Sequence, residues 1–289
     1  MTASVAANRQ YQYRKLKSNL MMGVTVAATV VTLAPLFLVL GYLLLKGASS
    51  LNLDFFVHLP KPVGQSGGGM ANAIVGTLQI VGIACLVGVP IGIGAGLYLA
   101  EHRGSQLANA VRFAADVMMG VPSIVVGIFA YAVVVKPMRS FSALAGGFAL
   151  GVMLVPIVLR STEEFLRAVP TSLREGALAL GAKKWRSIAT VVIPAAYKGI
   201  ATGILLSLAR VAGETAPLIF TSFGNPYWSR GFNEPTSSLP VMIYTYALSA
   251  YDDWHRQAWA AGLVLLAFVL VANVGAKLIL SRGMSSARG

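Results

Sequence analysis

Long apolar runs separated by short polar segments dominate this chain. Six windows are almost free of charged residues: 20–45, 72–100, 111–135, 141–159, 199–221 and 257–276. Each is close to the roughly 20 residues that an α-helix needs to cross the hydrocarbon core of a bilayer. The pattern predicts an all-α polytopic membrane protein with six transmembrane helices. The third window is the least regular, because Asp116 and Gly120-Val121-Pro122 interrupt its start.

The composition supports a membrane protein and excludes several other classes. Hydrophobic residues make up 56% of the 289 residues and charged residues only 11%, whereas a soluble domain carries about 25% charged residues. The net charge of +13 does not indicate nucleic acid, because the basic residues lie between apolar runs rather than on one soluble face. With Cys85 as the only cysteine, we expect no internal disulfide and no thiolate metal cluster. We also expect no other metal site and no cofactor.

The distribution of lysine and arginine predicts the orientation in the membrane. With the N-terminus inside, sixteen of these residues face the cytoplasm and six face outside. The positive-inside rule then predicts that both termini are cytoplasmic. The resulting organisation is a cytoplasmic tail over 1–19, a transmembrane permease domain over 20–280 and a second cytoplasmic tail over 281–289. The charge-free stretch 18–45 is too long for the apolar part of a signal peptide, so we expect a retained first helix.

A polar stretch over 160–198 separates the fourth and fifth windows. Ser172 and Glu175 have the spacing of a capping box, and Gly181 suits the left-handed residue that ends a helix. A second helix is expected from about Ala182 to Pro194, which marks its end. The stretch therefore predicts a cytoplasmic helix-turn-helix, which either lies on anionic lipid or docks on another protein. Its cationic residues are Arg160, Arg167, Arg174, Lys183, Lys184, Arg186 and Lys198.

The spacing inside this stretch favours docking. Glu175-Gly176-Ala177, three residues, Gly181, nine residues and Val191-Val192-Ile193-Pro194 resemble the E-A-A-x3-G-x9-I-x-L-P loop of ABC importer permeases. The resemblance implies a type I ABC importer permease architecture, in which this loop inserts into a cleft on an ATPase subunit. The chain has no G-x4-G-K-[ST] phosphate-binding loop, so ATP hydrolysis is expected on a separate subunit and this chain is not expected to be an enzyme. The coupling residues it implies are Glu175, Gly176, Ala177, Leu180, Gly181, Trp185 and Pro194.

Two charged residues, Arg210 and Glu214, lie in the fifth window. An arginine at the bilayer centre costs at least about 2.5 kcal/mol on insertion scales, so its presence calls for an explanation. On the helix predicted for this window, a small and polar stripe lies on a single face. Such a stripe suits a pathway for an anion, and the alternative is a buried ion pair that locks helices together. The stripe consists of Gly203, Ser207, Arg210, Glu214, Pro217 and Thr221.

The segment Ala209-Arg210-Val211-Ala212-Gly213-Glu214-Thr215-Ala216-Pro217 resembles the A-R-x-x-G-E-T-A-P motif of phosphate-specific transport (Pst) permeases. The segments 90–101 and 120–127 agree, and the region 249–253 is more similar to the PstA-type subunit than to PstC. The resemblance implies import of inorganic phosphate across the bacterial plasma (inner) membrane. It also implies three partners: a PstC-like second permease, a PstB-like ATPase dimer and a PstS-like extracytoplasmic phosphate-binding protein.

The candidate substrate pathway follows from the charges and from this resemblance. The planar donor fork of an arginine suits a phosphate anion. The fifth window then supplies Arg210, and Glu214 either holds its guanidinium or accepts a hydrogen bond from protonated phosphate. Arg160 is either an exit contact for the anion or a positive-inside anchor. The alternatives are a permease for molybdate or sulfate, an ion-coupled transporter or channel, and a membrane-embedded enzyme. The predicted pathway residues are Arg210, Glu214, Thr215, Ser207 and Arg160.

Overall fold

The computed structural model describes residues 2–65 and 67–282, and it places most of them in helices. Extended pairing among these residues is limited to an isolated bridge between Pro60 and Gly68, so the predicted all-α class is confirmed. The helices are α1 (Thr2–Ala48), α2 (Leu53–Val57), α3 (Ala71–Glu101), α4 (Gln106–Gly120), α5 (Ser123–Met138), α6 (Ala143–Ala168), α7 (Thr171–Ala179), α8 (Lys184–Val211), α9 (Ala216–Ile219), α10 (Leu239–Ala247) and α11 (Asp252–Arg282).

The predicted six spans correspond to five long apolar helices and one bent pair. Helices α1, α3, α6, α8 and α11 are each long and apolar enough to cross a membrane. Helices α4 and α5 pass the same test only together, and they meet at 104°. The third window, 111–135, is thus a bent pair of helices, and the bend lies at the predicted interruption Gly120-Val121-Pro122. The break follows from Pro122, which keeps the preceding residue, Val121, in an extended conformation with φ −70° and ψ 129°.

The fifth predicted span, 199–221, is wrong at its start. Helix α8 begins at Lys184 and runs through Pro194 without ending there, so the second helix of the predicted helix-turn-helix is the first part of α8. Residues Ile188–Val192 form a π-helical segment, in which the amide of Ile193 donates to the carbonyl of Ile188. This wider hydrogen-bonding pattern lets the helix pass a proline, whose nitrogen has no hydrogen to donate. Only residues 169–183 of the predicted 160–198 loop lie outside α6 and α8.

The same span is also wrong at its end, because α8 stops at Val211 rather than near Thr221. Gly213 follows two residues later, and Pro217 lies in the first turn of the separate helix α9. Glycine is unfavourable in the interior of a helix, and proline is favourable in the first turn of a helix. Glu214, Pro217 and Thr221 therefore do not continue the face of α8 that carries Ser207 and Arg210.

The centre of the fold is the contact between α3 and α6. Gly92 and Gly96 on α3 lie so close to α6 that a Cβ atom on them would be 2.7 Å from the Cβ of Val158 and 2.6 Å from the carbonyl oxygen of Leu159, respectively. Leu154 and Val158 on α6 are fully buried against this surface. Small residues allow helices to approach closely in a membrane, where van der Waals packing drives association.

Two other helices join this pair in different ways. Helix α8 packs on α6 where Gly199 and Gly203 face Phe165 and Ser161. By contrast, no residue in the most apolar window of α1 is buried within the chain. Helix α1 contacts α11 near its end, where the rings of Tyr42 and Trp259 lie 5.0 Å apart. The central helices thus form a packed unit, and α1 presents most of its surface to the surroundings.

The structure describes the two predicted tails to different extents. Helix α1 begins at Thr2, so the expected tail over 1–19 is continuous with the first span rather than a separate segment. The expected tail over 281–289 lies outside the described residues except for its first two, which end α11.

Substitution of Gly96 by alanine should destabilise the protein. Its Cβ would lie 2.6 Å from a backbone oxygen, and overpacking of this kind costs about 1–3 kcal/mol. The matched control is Gly94→Ala on the same helix, where a Cβ has nothing within 4 Å. Thermal unfolding of the detergent-purified protein should show a lower midpoint for Gly96→Ala only. Equal midpoints for the two variants would contradict the close α3–α6 contact.

Candidate functional site

Two of the predicted pathway residues, Arg210 and Glu214, line one cavity of about 480 Å³. The cavity lies where the bend between α4 and α5 meets α6 and the end of α8. Its other lining side chains are apolar except for Ser123: Met118, Met119, Val121, Pro122, Val125, Val126, Phe129, Val152, Met153, Ile157 and Val211. Among these lining residues, only Arg210 and Glu214 are charged.

The depth of the cavity follows from its position along α6. That helix has 26 residues, which corresponds to about 39 Å at 1.5 Å per residue. The lining residues Met153 and Ile157 lie in the middle third of α6. If α6 crosses the membrane, the cavity lies near the centre of the bilayer. The expected mid-membrane position of Arg210 is thus consistent with the fold. Arg210 lies in the last turn of α8.

Glu214 reaches the cavity because the chain turns at the end of α8. The amide of Gly213 donates to the carbonyl of Arg210 at 3.3 Å, and that of Glu214 donates to Val211 at 3.1 Å. The turn keeps Glu214 beside the end of α8 without continuing the helix. Neither Arg210 nor Glu214 forms an ion pair within the described residues. The expected helix-locking ion pair is therefore not present between these two side chains in this structure.

The other predicted pathway residues lie outside this cavity. Ser207 is buried, and its hydroxyl donates to the carbonyl of Gly203 at 2.7 Å. The carbonyl of Thr215 accepts hydrogen bonds from the amides of Leu218 and Ile219, and these bonds form the start of α9. Both residues shape the backbone around Arg210 rather than line the cavity.

Arg160, the fifth predicted residue, belongs to a charged cluster between α4 and α6. Its guanidinium donates to Asp116 at 2.9 Å and to Glu163 at 3.2 Å. Glu163 is buried, accepts a hydrogen bond from Arg112 at 2.8 Å and forms an ion pair with Arg167 at 2.7 Å. The paired charges fix α4 to α6. Asp116 was visible in the sequence as an interruption of the third window, but nothing in the sequence paired it with Arg160.

The coupling segment consists of α7, the turn 180–183 and the start of α8. Gly181 has φ +82°, which confirms the predicted left-handed position. Its amide donates to Leu178 at 2.9 Å, and that of Ala182 donates to Ala177 at 3.1 Å. These two bonds satisfy carbonyls at the end of α7 and turn the chain sharply into α8.

The tip of the coupling segment presents large apolar side chains outward. Leu180 is 91% exposed and Trp185 is 67% exposed. Glu175 and Gly176 are also exposed, whereas Ala177 is half-buried. Pro194 lies further along α8 and is exposed. Exposed apolar groups grouped at one tip are typical of a protein–protein contact.

Two further features bear on the chemistry of the protein. A second cavity of about 600 Å³ lies between the loop at 60–63 and α10, and it contains none of the predicted site residues. Among the described residues, no group of three or more histidine, cysteine, aspartate or glutamate side chains is placed to hold a metal ion.

Comparison with known proteins identifies the family. Residues 88–283 match the family described as "Binding-protein-dependent transport system inner membrane component". The chain is 42% identical to the phosphate transport system permease protein PstA of Yersinia pestis, with 97% of this chain and 96% of that protein covered. It is 42% identical to PstA of Haemophilus influenzae, with 94% and 96% covered. It is 36% identical to a probable PstA of Methanocaldococcus jannaschii, with 90% and 92% covered.

Solved structures of other importers share the fold. A bacterial ABC transporter involved in the import of alginate matches with a TM-score of 0.65 at 17% identity, covering 94% of this chain and 99% of that chain. The MetNI methionine ABC transporter in an inward-facing conformation matches with a TM-score of 0.61 at 20% identity, covering 73% and 94%. These likenesses confirm the predicted type I ABC importer permease architecture. Together with the sequence relatives, they show that the chain belongs to the binding-protein-dependent inner membrane transport components, as a permease of the PstA type.

Proposed function

We propose that this chain forms half of the translocation pathway of an ATP-driven importer of inorganic phosphate. The observation that carries the proposal is the placement of Arg210 and Glu214 in one otherwise apolar cavity at the level of the middle of α6. The PstA relatives support the cargo, since the chain covers nearly their whole length.

The chemistry of the cavity suits a protonated oxyanion. Phosphate groups carry about −1.5 to −2 charges near neutral pH, and an arginine fork donates two parallel hydrogen bonds to such an anion. Apolar walls strengthen this attraction by lowering the local dielectric constant. Because the lining supplies one cation, Arg210, the anion is attracted without being held by several charges. Glu214 accepts a hydrogen bond from an anion that still carries a proton, and it repels one that carries none.

Arg160 supports the pathway in a different role. Both sides of its guanidinium are occupied by Asp116 and Glu163. This favours the anchor over the exit contact, because phosphate would have to displace two carboxylates to reach it.

The exposed tip of the coupling segment supports an ATPase partner. The outward-facing Leu180 and Trp185 at the tip of the coupling segment suit insertion into an ATPase subunit, because exposed apolar side chains grouped at one tip are typical of a protein–protein contact. We assign the ATPase as a PstB-like dimer, the second permease as PstC-like and the external partner as a PstS-like phosphate-binding protein. Both termini then lie in the cytoplasm, on the same side as the coupling segment.

Replacement of Arg210 by glutamine should abolish phosphate uptake while the complex still assembles. The change removes the cation that attracts the anion into the cavity. Uptake of radiolabelled phosphate into proteoliposomes that contain the whole transporter measures the effect. The matched control is Arg103→Gln, which removes the same charge from an exposed turn after α3 and should transport normally. Normal uptake by Arg210→Gln would exclude the pathway role.

Glu214→Gln should weaken selection for phosphate over sulfate. Sulfate carries no proton at neutral pH, so the carboxylate of Glu214 disfavours it, whereas an amide can also donate a hydrogen bond to it. Competition of unlabelled phosphate, sulfate and molybdate against labelled phosphate, with the cognate binding protein present, measures this selection. If sulfate or molybdate is carried as well as phosphate by the unaltered transporter, the cargo assignment is wrong.

Gly181→Ala should reduce recovery of the ATPase subunit with the membrane complex. An L-residue in the left-handed conformation costs about 1–2 kcal/mol, and a Cβ at this position meets nothing within 4 Å, so the effect acts through the backbone alone. Gly104→Ala is the control, since Gly104 lies in the exposed turn after α3, outside the coupling segment, and its Cβ also meets nothing. Pull-down of the ATPase through a tag on this chain should fall for Gly181→Ala only. Undiminished recovery would count against docking through this turn.

A further inference from the structure

Helix α7 has little attachment of its own to the rest of the protein. None of its nine residues is buried. It packs on the start of α8, along Lys184–Ser187 and Ile188–Val192. The apolar packing of α7 is therefore mainly against the start of α8.

Arg174 supplies a polar attachment from the middle of α7. Its side chain is only 19% exposed. One terminal nitrogen, Nη1, donates to Oε1 of Glu101, and the other, Nη2, donates to the carbonyl oxygen of Leu166 at 2.9 Å. Glu101 is the last residue of α3, and Leu166 lies in the last turn of α6. The two arms of one guanidinium thus join α7 to the ends of both central helices.

Glu101 also contacts the other helix of the coupling segment. Its second oxygen, Oε2, lies 3.7 Å from Nζ of Lys184, the first residue of α8. The Glu101 side chain is 9% exposed, so water screens its pairing with Arg174 only weakly. One carboxylate therefore receives a cation from each side of the turn at Gly181.

We propose that Glu101 and Arg174 form a positioning pair that transmits movement of α7 to the α3–α6 unit. This inference rests on the proposed function, in which the coupling segment docks on an ATPase. Close glycine packing joins α3 and α6 into one packed unit. Helix α6 also lines the cavity that holds Arg210, through Met153 and Ile157. A displacement of α7 thereby reaches the cavity wall without any contact between them.

The test compares transport with ATP hydrolysis in the complete transporter. Glu101→Gln and Arg174→Gln should each leave the ATPase bound, because the docking side chains Leu180 and Trp185 are untouched. Phosphate transported per ATP hydrolysed in proteoliposomes should fall roughly 2- to 30-fold, the range found for residues that couple distant sites. A pair that only stabilised the fold would lower the amount of assembled complex and leave this ratio unchanged.

Two further variants sharpen the result. The double variant should be no worse than the more affected single variant, because the two residues act through one contact. Glu164→Gln is the matched control, since it removes an exposed carboxylate from the same end of α6 and should keep the normal ratio. An unchanged ratio in Glu101→Gln, or strictly multiplicative losses in the double variant, would overturn the proposal.

The outcomes separate this inference from the function on which it rests. If the unaltered complex imports no phosphate, the proposed function fails before the pair is tested. If it imports phosphate and Arg174→Gln retains the normal ratio, the positioning role fails and the proposed function stands. Should Glu101→Gln not assemble, Arg174→Gln decides the question alone, because its helix contains no buried residue.

Discussion

The close approach of α3 to α6 is the contact on which the other parts of the structure depend. Lipid is as apolar as leucine, so helices in a membrane associate through packing rather than through the hydrophobic effect. Glycines at Gly88, Gly92 and Gly96 bring the two backbones together along α6. Helix α8 then packs on the same helix through Gly199 and Gly203. The cavity, the charged cluster and the coupling segment are all built on the surface or the ends of this unit.

The charged residues in the apolar part of the protein divide into two groups. Glu163 is surrounded by arginines and is fully paired, as a buried charge requires. Arg210 and Glu214 instead lie beside an open volume. Pairing in the first group fixes one helix to another. Within the described residues the second group has no ion pair, which leaves a cation accessible to a small anion and supports the proposed role of Arg210 in transport.

The local sequence pattern predicted much of the fold. Most of the features that it did not predict depend on contacts between residues far apart in sequence. The apolar windows located the spans, and Gly181 was correctly expected in the left-handed conformation. The expectation that Pro194 ends a helix is wrong because a π-helical segment accommodates the proline within α8. The hydrophobic periodicity of the sequence does not reveal such a segment. The stripe along the fifth window failed beyond Val211 because α8 ends there. The pairs Asp116–Arg160 and Glu101–Arg174 join residues 44 and 73 positions apart, and only the fold brings them together.

The sparse attachment of α1 has a consequence for how the chain is made. Near its end, Tyr42 and Gly47 contact Trp259 and Leu263 on α11. Helix α1 is synthesised before every other described helix, and α11 is synthesised after them. During synthesis, α1 therefore enters the bilayer before this partner exists, because α11 follows the other described helices along the chain. Membrane insertion of α1 must depend on its own apolar length rather than on contacts with its neighbours.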